Sequence, residues 1–314
     1  MPTSDYAALL VKGIRKNYDV VGQTYPVMGK DLFHVEQSAA RYEQVQTYGG
    51  YGLPQVRGEG GPVADGFLFT NFGKTYYHTN YGLKDVLPQE AIDDDIYGLL
   101  TRWASGRASS MAESYATNDE IIAANFLSNI GFGTAPVAGS PDGQPIFSVS
   151  HPQSKVNPAI LLSNTPSAPT NLSMTALQAA RANLEQQKKA NGITKIKNKI
   201  VRLVFNPNLE EIALQLLKSD WVPNTANRNM NTLQMKNIEP FSWPYWEVSG
   251  AADPNAFNGW MVQGEEHYLD WFVRQAVTFD QQKIVAINSV LFASFQRQSL
   301  GHSDWRGLYA SAGT

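Results

Sequence analysis

The sequence predicts an α+β fold, and three observations carry that expectation. A glycine-dense stretch lies between strand-forming runs, and a long helical pattern follows it. The second half alternates helices with strands and ends in long strands. The glycines are Gly49, Gly50, Gly52, Gly58, Gly60, Gly61 and Gly66, too many for a rigid core element. The runs on either side, Tyr42–Tyr48 and Phe67–His78, are β-prone, so the segment reads as a long exposed hairpin.

Ahead of it, residues 4–18 read as a short amphipathic helix. Ser4 caps it, and Tyr6, Leu9, Leu10 and Ile14 share one stripe. It has little to bury against locally and reads as an arm that packs on something else. Behind the hairpin, Ile92, Ile96, Leu99, Leu100, Trp103, Met111 and Tyr115 follow helical spacing over residues 88–116. Pro88 suits the first turn, and Asp93, Asp94 and Asp95 lie where the helix dipole favours negative charge. Such a helix is about 43 Å long. A second helix is expected from Thr117, with Glu120 completing a capping box and Gly131 as the stop.

Residues 133–172 are proline-rich loop, with Ile146–Val149 as a short strand and His151-Pro152 as a turn. A helix is expected over 173–190, ending at Gly192, and a strand over Lys199–Phe205. Asn206 then caps, and Pro207 opens, a helix to Lys218. This alternation points to a compact α/β lobe. Strands Val273–Phe279 and Lys283–Phe295 face each other across Asp280-Gln281-Gln282. The second is apolar on both sides, which predicts burial on both. The aromatic terminus Asp304–Tyr309 is expected to dock rather than fray.

The 314 residues allow two domains or one large one. Only 17% are charged, against about 25% in an ordinary soluble chain. Either subunit contacts cover neutral surface or the surface is polar and uncharged. The net charge of −3 argues against a dedicated reader of DNA sequence. The absence of cysteine excludes disulfides, zinc ribbons, Cys nucleophiles and iron–sulfur clusters. Met1-Pro2-Thr3-Ser4-Asp5 does not begin a signal peptide, and no apolar run approaches the 18 or so residues of a membrane span.

Catalytic motifs are incomplete. Gly73-Lys74-Thr75 resembles the end of a phosphate-binding loop, but the required glycine position holds Leu68. No G-x-S-x-G elbow occurs. Glu266, His267 and Asp270 make at most half a metal site, and a hydrolase could use a pair such as Glu265 and Asp270. Lys188, Lys189, Lys195, Lys197, Lys199 and Arg202 form a basic run. It reads first as a solvated face that complements a helix dipole. Lys12, Arg15 and Lys16 on the arm could meet phosphate or an acidic neighbour. No cofactor or metal is expected.

The order of parts resembles a tailed-bacteriophage major capsid protein, and within that family the Mu-type major head subunit branch. Four stretches carry the resemblance: Pro54-Gln55-Val56-Arg57, Ile92-Asp93-Asp94-Asp95-Ile96-Tyr97-Gly98, Asp142–Phe147 with His151-Pro152, and Asp304-Trp305-Arg306-Gly307. The tryptophan usual near the first motif is absent, with Tyr48 and Tyr51 nearby. Gly58 stands where that branch tends to have an acid.

The resemblance implies the Hong Kong 97-type capsid fold. It implies an N-terminal arm (1–40), an extended β-hairpin loop (41–86), a spine helix with the first part of a peripheral domain (87–158), an axial domain (159–270) and final peripheral strands (271–314). It implies a structural protein whose hexamers and pentamers build an icosahedral shell around double-stranded DNA, assembled in the host cytoplasm and carried in the virion. Inter-subunit contacts would fall on Tyr6, Lys12, Arg15 and Lys16 of the arm and on Gly50, Pro54, Arg57 and Gly60 of the loop. Implied partners are other copies, a scaffold or maturation protease, a portal, decoration proteins and packaged DNA bound without sequence readout, with no membrane. The alternatives are an encapsulin-like compartment of the same fold, or the carboxylate-pair hydrolase.

Overall fold

A computed structural model describes residues 26–88, 90, 99–133, 139–223, 229–250 and 256–314. The expected arm helix and the acidic start at Asp93–Asp95 lie outside the described residues. In chain order the elements are β1 (His34–Gln37), β2 (Tyr42–Tyr51), β3 (Leu68–Tyr77), β4 (Thr79–Pro88) and α1 (Leu99–Asn125). After a π-helical turn at Phe126–Ile130 come β5 (His151–Pro152), β6 (Leu161–Leu162), α2 (Met174–Gln186), β7 (Ile200–Phe205) and α3 (Glu210–Lys218). The last strands are β8 (Glu239–Ser242), β9 (Trp260–Gly264), β10 (Leu269–Ile284), β11 (Ser289–His302) and β12 (Leu308–Ser311). Two units share these elements. The first takes the chain up to Glu43, Tyr76–Ala123 and Trp271–Leu300, and the second takes Gln44–Thr75, Ala124–Asp270 and Gly301–Thr314.

The first unit is built on a four-stranded sheet in the order β1-β10-β11-β4. β11 and β4 run antiparallel, from Ser289 opposite Pro88 to Gln298 opposite Thr79. α1 covers one face. Ala112, Tyr115, Asp119 and Ala123 recur at helical spacing and are buried. The Tyr115 hydroxyl donates to Ser294 O at 3.0 Å.

No helix starts at Thr117, because α1 runs through it without a break. Glu120 is therefore not a capping-box residue. Its carboxylate accepts instead from the backbone N–H groups of Met28 and Gly29. These open a short 3-10 turn, Met28–Leu32. A negative side chain serves those free donors as it would at any helix N-terminus. One residue earlier, buried Asp119 accepts from Lys30 Nζ at 2.6 Å and from Gln298 Nε2 at 2.6 Å.

The long strands also reverse later than expected. The turn is a 3-10 segment, Val285–Ile287, closed by Asn288 at φ 41°, and not Asp280-Gln281-Gln282. Asn tolerates the left-handed region because its short amide bonds locally, and Gln does not share that ease. β11 is not buried on both sides. Ser294, Gln296 and Gln298 are buried and Phe295 is exposed. The face toward α1 is thus polar and hydrogen-bonded, a pattern that apolar alternation cannot reveal.

The second unit holds the main apolar core, set between α2, α3 and the sheet β12-β9-β7-β8. β7 is parallel to β8 and antiparallel to β9. Leu177, Ala180 and Leu184 of α2 and Ala213, Leu216 and Leu217 of α3 face Leu203, Phe205, Trp260 and Val262. Local signals set these helices well. Ser173 Oγ caps α2 by accepting from Ala176 N. Asn206 Oδ1 accepts from Asn208 N, and Pro207 follows in a 3-10 turn that leads into α3.

Three local expectations fail here. α2 ends at Gln186, and the chain to Ile196 is a tight hairpin in which Lys188 pairs with Lys195. Ile146–Val149 is not a strand, although Ile146 and Phe147 are buried and Phe147 N donates to Gly131 O at 2.9 Å. His151-Pro152 is not a turn but a two-residue strand paired with Leu161-Leu162. The first and third misses come from short hairpins whose partners lie seven to eleven residues on.

A candidate assembly hairpin and the polar hub beneath it

β2 and β3 form a two-stranded sheet of their own, and an isolated pair of strands is marginal in water. Its strands are tied to each other, and its root to the 188–195 hairpin of the same unit. Gln46 Nε2 donates to Asn71 O and Thr47 Oγ1 to Phe72 O at 2.6 Å. Asn191 Nδ2 donates to Tyr51 O at 3.0 Å. Gly49 lies so close to the 188–195 hairpin that a Cβ would stand 2.8 Å from that of Ala190.

Beyond the root, residues 52–67 leave the sheet. At the tip Gly61 N donates to Gly58 O at 3.0 Å, Gly60 sits at φ 72°, and Arg57 Nη1 donates to Gly61 O at 3.3 Å. Val56 is fully exposed and Phe67 is 75% exposed; Leu53 and Val63 are exposed as well. Covering four such side chains would contribute roughly 6–12 kcal/mol before ordering costs. Burial of these groups needs a surface that the loop does not carry.

The structure brings Pro54, Arg57 and Gly60 together on this loop and puts Gly50 at its root, where φ is 81°. Tyr6, Lys12, Arg15 and Lys16 lie outside the described residues. Glu265 is exposed after β9, and Asp270 lies in β10. Among the described residues no group of three His, Asp or Glu side chains is placed to hold a metal.

Sequence reading missed the polar hub inside the second unit. Arg306, 2% exposed, donates from Nη1 to both oxygens of Asp304 at 2.9 and 2.8 Å. It also donates from Nε to Lys188 O at 2.7 Å and from Nη2 to Gln153 O at 2.6 Å. Gly307 follows at φ 88°, where a Cβ would strike Glu266 O. His151 is fully buried and stacked on Trp305 at 4.5 Å. Its Nδ1 lies 2.7 Å from Asp142 Oδ2, and its Nε2 lies 3.1 Å from both Ile146 O and Asn164 Oδ1. Burial alone would raise the Asp142 carboxyl, but the His151 hydrogen bond and charge, Gln144 N–H and Ser140 hold it below the usual carboxylate range.

His302 lies beside this group, 3.4 Å from Ser140 Oγ. Burial pushes its imidazole down to about 3; the Lys74 ammonium and His151 act the same way, and Asp142 opposes them. Burial also lowers Lys74 to about 8, against the pull of Asp270. The folded His302 is therefore neutral, and its contribution is intact above pH 6.5. That contribution is lost as pH falls from 6.5 toward 3. The loss at pH 4 is about 3 kcal/mol. Denaturant midpoints measured from pH 7 to pH 4 should fall steeply in the parent chain and much less in His302→Gln. Parallel curves would remove His302 as the cause.

Comparison with known proteins agrees with this architecture. The structure is similar to that of Microbacterium phage Oxtober96, with TM-score 0.55, 10% identity, and coverage of 91% of this chain and 90% of that one. It is similar to the capsid of an empty GTA particle, with TM-score 0.54, 13% identity, and coverage of 90% and 88%. The mature capsid of bacteriophage PhiM1 gives TM-score 0.53, 10% identity, and coverage of 88% and 83%. No curated protein matches. The α+β fold is thus the Hong Kong 97-type capsid fold. The model of the family described as phage capsid protein matches residues 74–311 of the 314, and the chain belongs to that family.

Proposed function

We propose that this chain is a major capsid protein whose copies form the hexamers and pentamers of an icosahedral shell around double-stranded DNA. The carrying observation is the 52–67 loop, which presents Leu53, Val56, Val63 and Phe67 to solvent at the end of a two-stranded sheet. Apolar surface of this kind is characteristic of protein contacts. In this reading residues 1–40 are the arm, 41–86 the extended loop, 87–158 the spine helix and first peripheral part, 159–270 the axial domain, and 271–314 the last peripheral strands. Tyr6, Lys12, Arg15, Lys16, Gly50, Pro54, Arg57 and Gly60 carry contacts between copies. The role is structural rather than enzymatic. The Mu-type placement rests on the four sequence motifs alone. A scaffold or maturation protease, a portal and decoration proteins complete the assembly in the host cytoplasm. DNA meets the inner wall through its phosphates without sequence readout.

Electron microscopy of the expressed full chain is expected to show closed, uniform shells or free capsomers. A single sedimenting species of 34.7 kDa under every salt and concentration tried would overturn the reading.

A further inference from the structure

One set of charged side chains in the second unit has no role in the fold described above. Between α2 and β7, Lys188 and Lys195 stand opposite each other in an antiparallel bridge. Lys189 N donates to Thr194 O at 2.8 Å, and Gly192 turns the chain at φ 71°. Residues opposite each other across such a bridge share a face, and like charges there are destabilising. Lys197 and Lys199 follow, both exposed. Among the described residues none of these five lysines pairs with a carboxylate. Glu265 and Glu266, just past β9, lie at the same end of the sheet, since Ile200 is opposite Gly264. The lysines outnumber them.

β7 runs from this end to the other, about 20 Å for its six residues. The far end is acidic. Glu210 and Glu211 occupy the first turn of α3, and Glu247 follows β8; all three are exposed. No lysine or arginine occurs in residues 203–211, 240–250 or 256–260, which lie toward that end. One unit thus carries a positive patch and a negative patch at opposite ends of one strand.

We propose that these ends meet between neighbouring copies, the Lys188/Lys195/Lys199 end of one subunit seating on the Glu210/Glu211/Glu247 end of the next. The proposal rests on the capsid reading and names a contact within it. A head-to-tail contact joins two different patches of the same molecule and closes into rings when the rotation allows. A second copy fits better than nucleic acid because this unit itself supplies the complementary patch. The polarity of the contact also sets its direction around the ring, since like ends repel.

The test compares the parent full chain with three variants of it. Lys188→Glu/Lys195→Glu/Lys199→Glu and, separately, Glu210→Lys/Glu211→Lys/Glu247→Lys should each lower particle yield about tenfold or more at low salt. The chain with all six changes should restore it, because the two ends are complementary again. Circular dichroism on the unassembled fraction checks folding, and the glutamate set tests the same contact if the lysine set fails to fold. Normal yield from both triple variants, beside parent chains that form shells, overturns this contact and leaves the capsid reading standing. Two defective triple variants without rescue in the sixfold chain overturn it as well. Normal particles that lose nuclease-protected nucleic acid in the lysine variant would reassign the lysines to a phosphate surface. A parent chain that never assembles instead removes the capsid reading.

Discussion

Replacing residues 53–66 by a short Gly-Ser turn should abolish shells and leave a folded subunit. The loop makes few attachments to the body. Its own hydrogen bonds, Gly61 N to Gly58 O and Arg57 to Gly61 O, are local to the tip. The contacts that fix the hairpin, from Gln46, Thr47 and Asn191, all lie at the root and survive the change. Thermal unfolding of the shortened chain should therefore match that of the unassembled parent to within about 1 kcal/mol, since surface changes away from such features cost little. Assembly loses the roughly 5–9 kcal/mol per subunit that covering Leu53, Val56 and Val63 would supply. Light scattering and electron microscopy read the two outcomes separately. Full-sized particles from the shortened chain would show that the loop is not a contact element.

Arg306→Ala should be the most damaging single substitution in the body, at about 3–5 kcal/mol. The side chain ties Asp304 to the carbonyls of Gln153 and Lys188. Removing it leaves a buried carboxylate with only Asn71 Nδ2, at 3.4 Å, and its own backbone neighbour Arg306 N. Two carbonyls also lose their donor. Arg306→Lys should recover little, because an ammonium cannot present donors in three fixed directions. The double variant Asp304→Asn/Arg306→Met, which removes both charges, should recover more than half of the loss. Urea melts of the four chains give the comparison. A loss under 1 kcal/mol in Arg306→Ala would mean that water replaces the guanidinium.

The fold was legible where structure is decided locally. Ser173, Asn206 and Pro207 announced their helix starts because caps are set by bonds two or three residues long. The glycine-dense stretch announced an excursion because glycine cannot hold a core element. Three of the four motifs behind the resemblance lie in described parts of the chain, and the family match bears out membership of the phage capsid family. The polar hubs were not legible. Asp119 bonds Gln298 across 179 positions, and Arg306 bonds Gln153 across 153. Nothing within a few residues of these side chains encodes such a partner. Thr117 and Glu120 misled for the same reason. Their spacing is that of a capping box, yet Glu120 serves a backbone 91 positions away. The late reversal at Asn288 shows a weaker form of the problem, since one residue that tolerates positive φ outweighed three polar ones.

The grip of Asp119 and Glu120 on Met28, Gly29 and Lys30 has a mechanical consequence. These bonds join the start of the described chain to one turn of the long helix. A pull on the polypeptide ahead of Met28 is delivered to that turn before any strand feels it. The helix then works as a strut loaded from the side, and tension from a neighbour grasping the leading segment would reach the interior through two carboxylates.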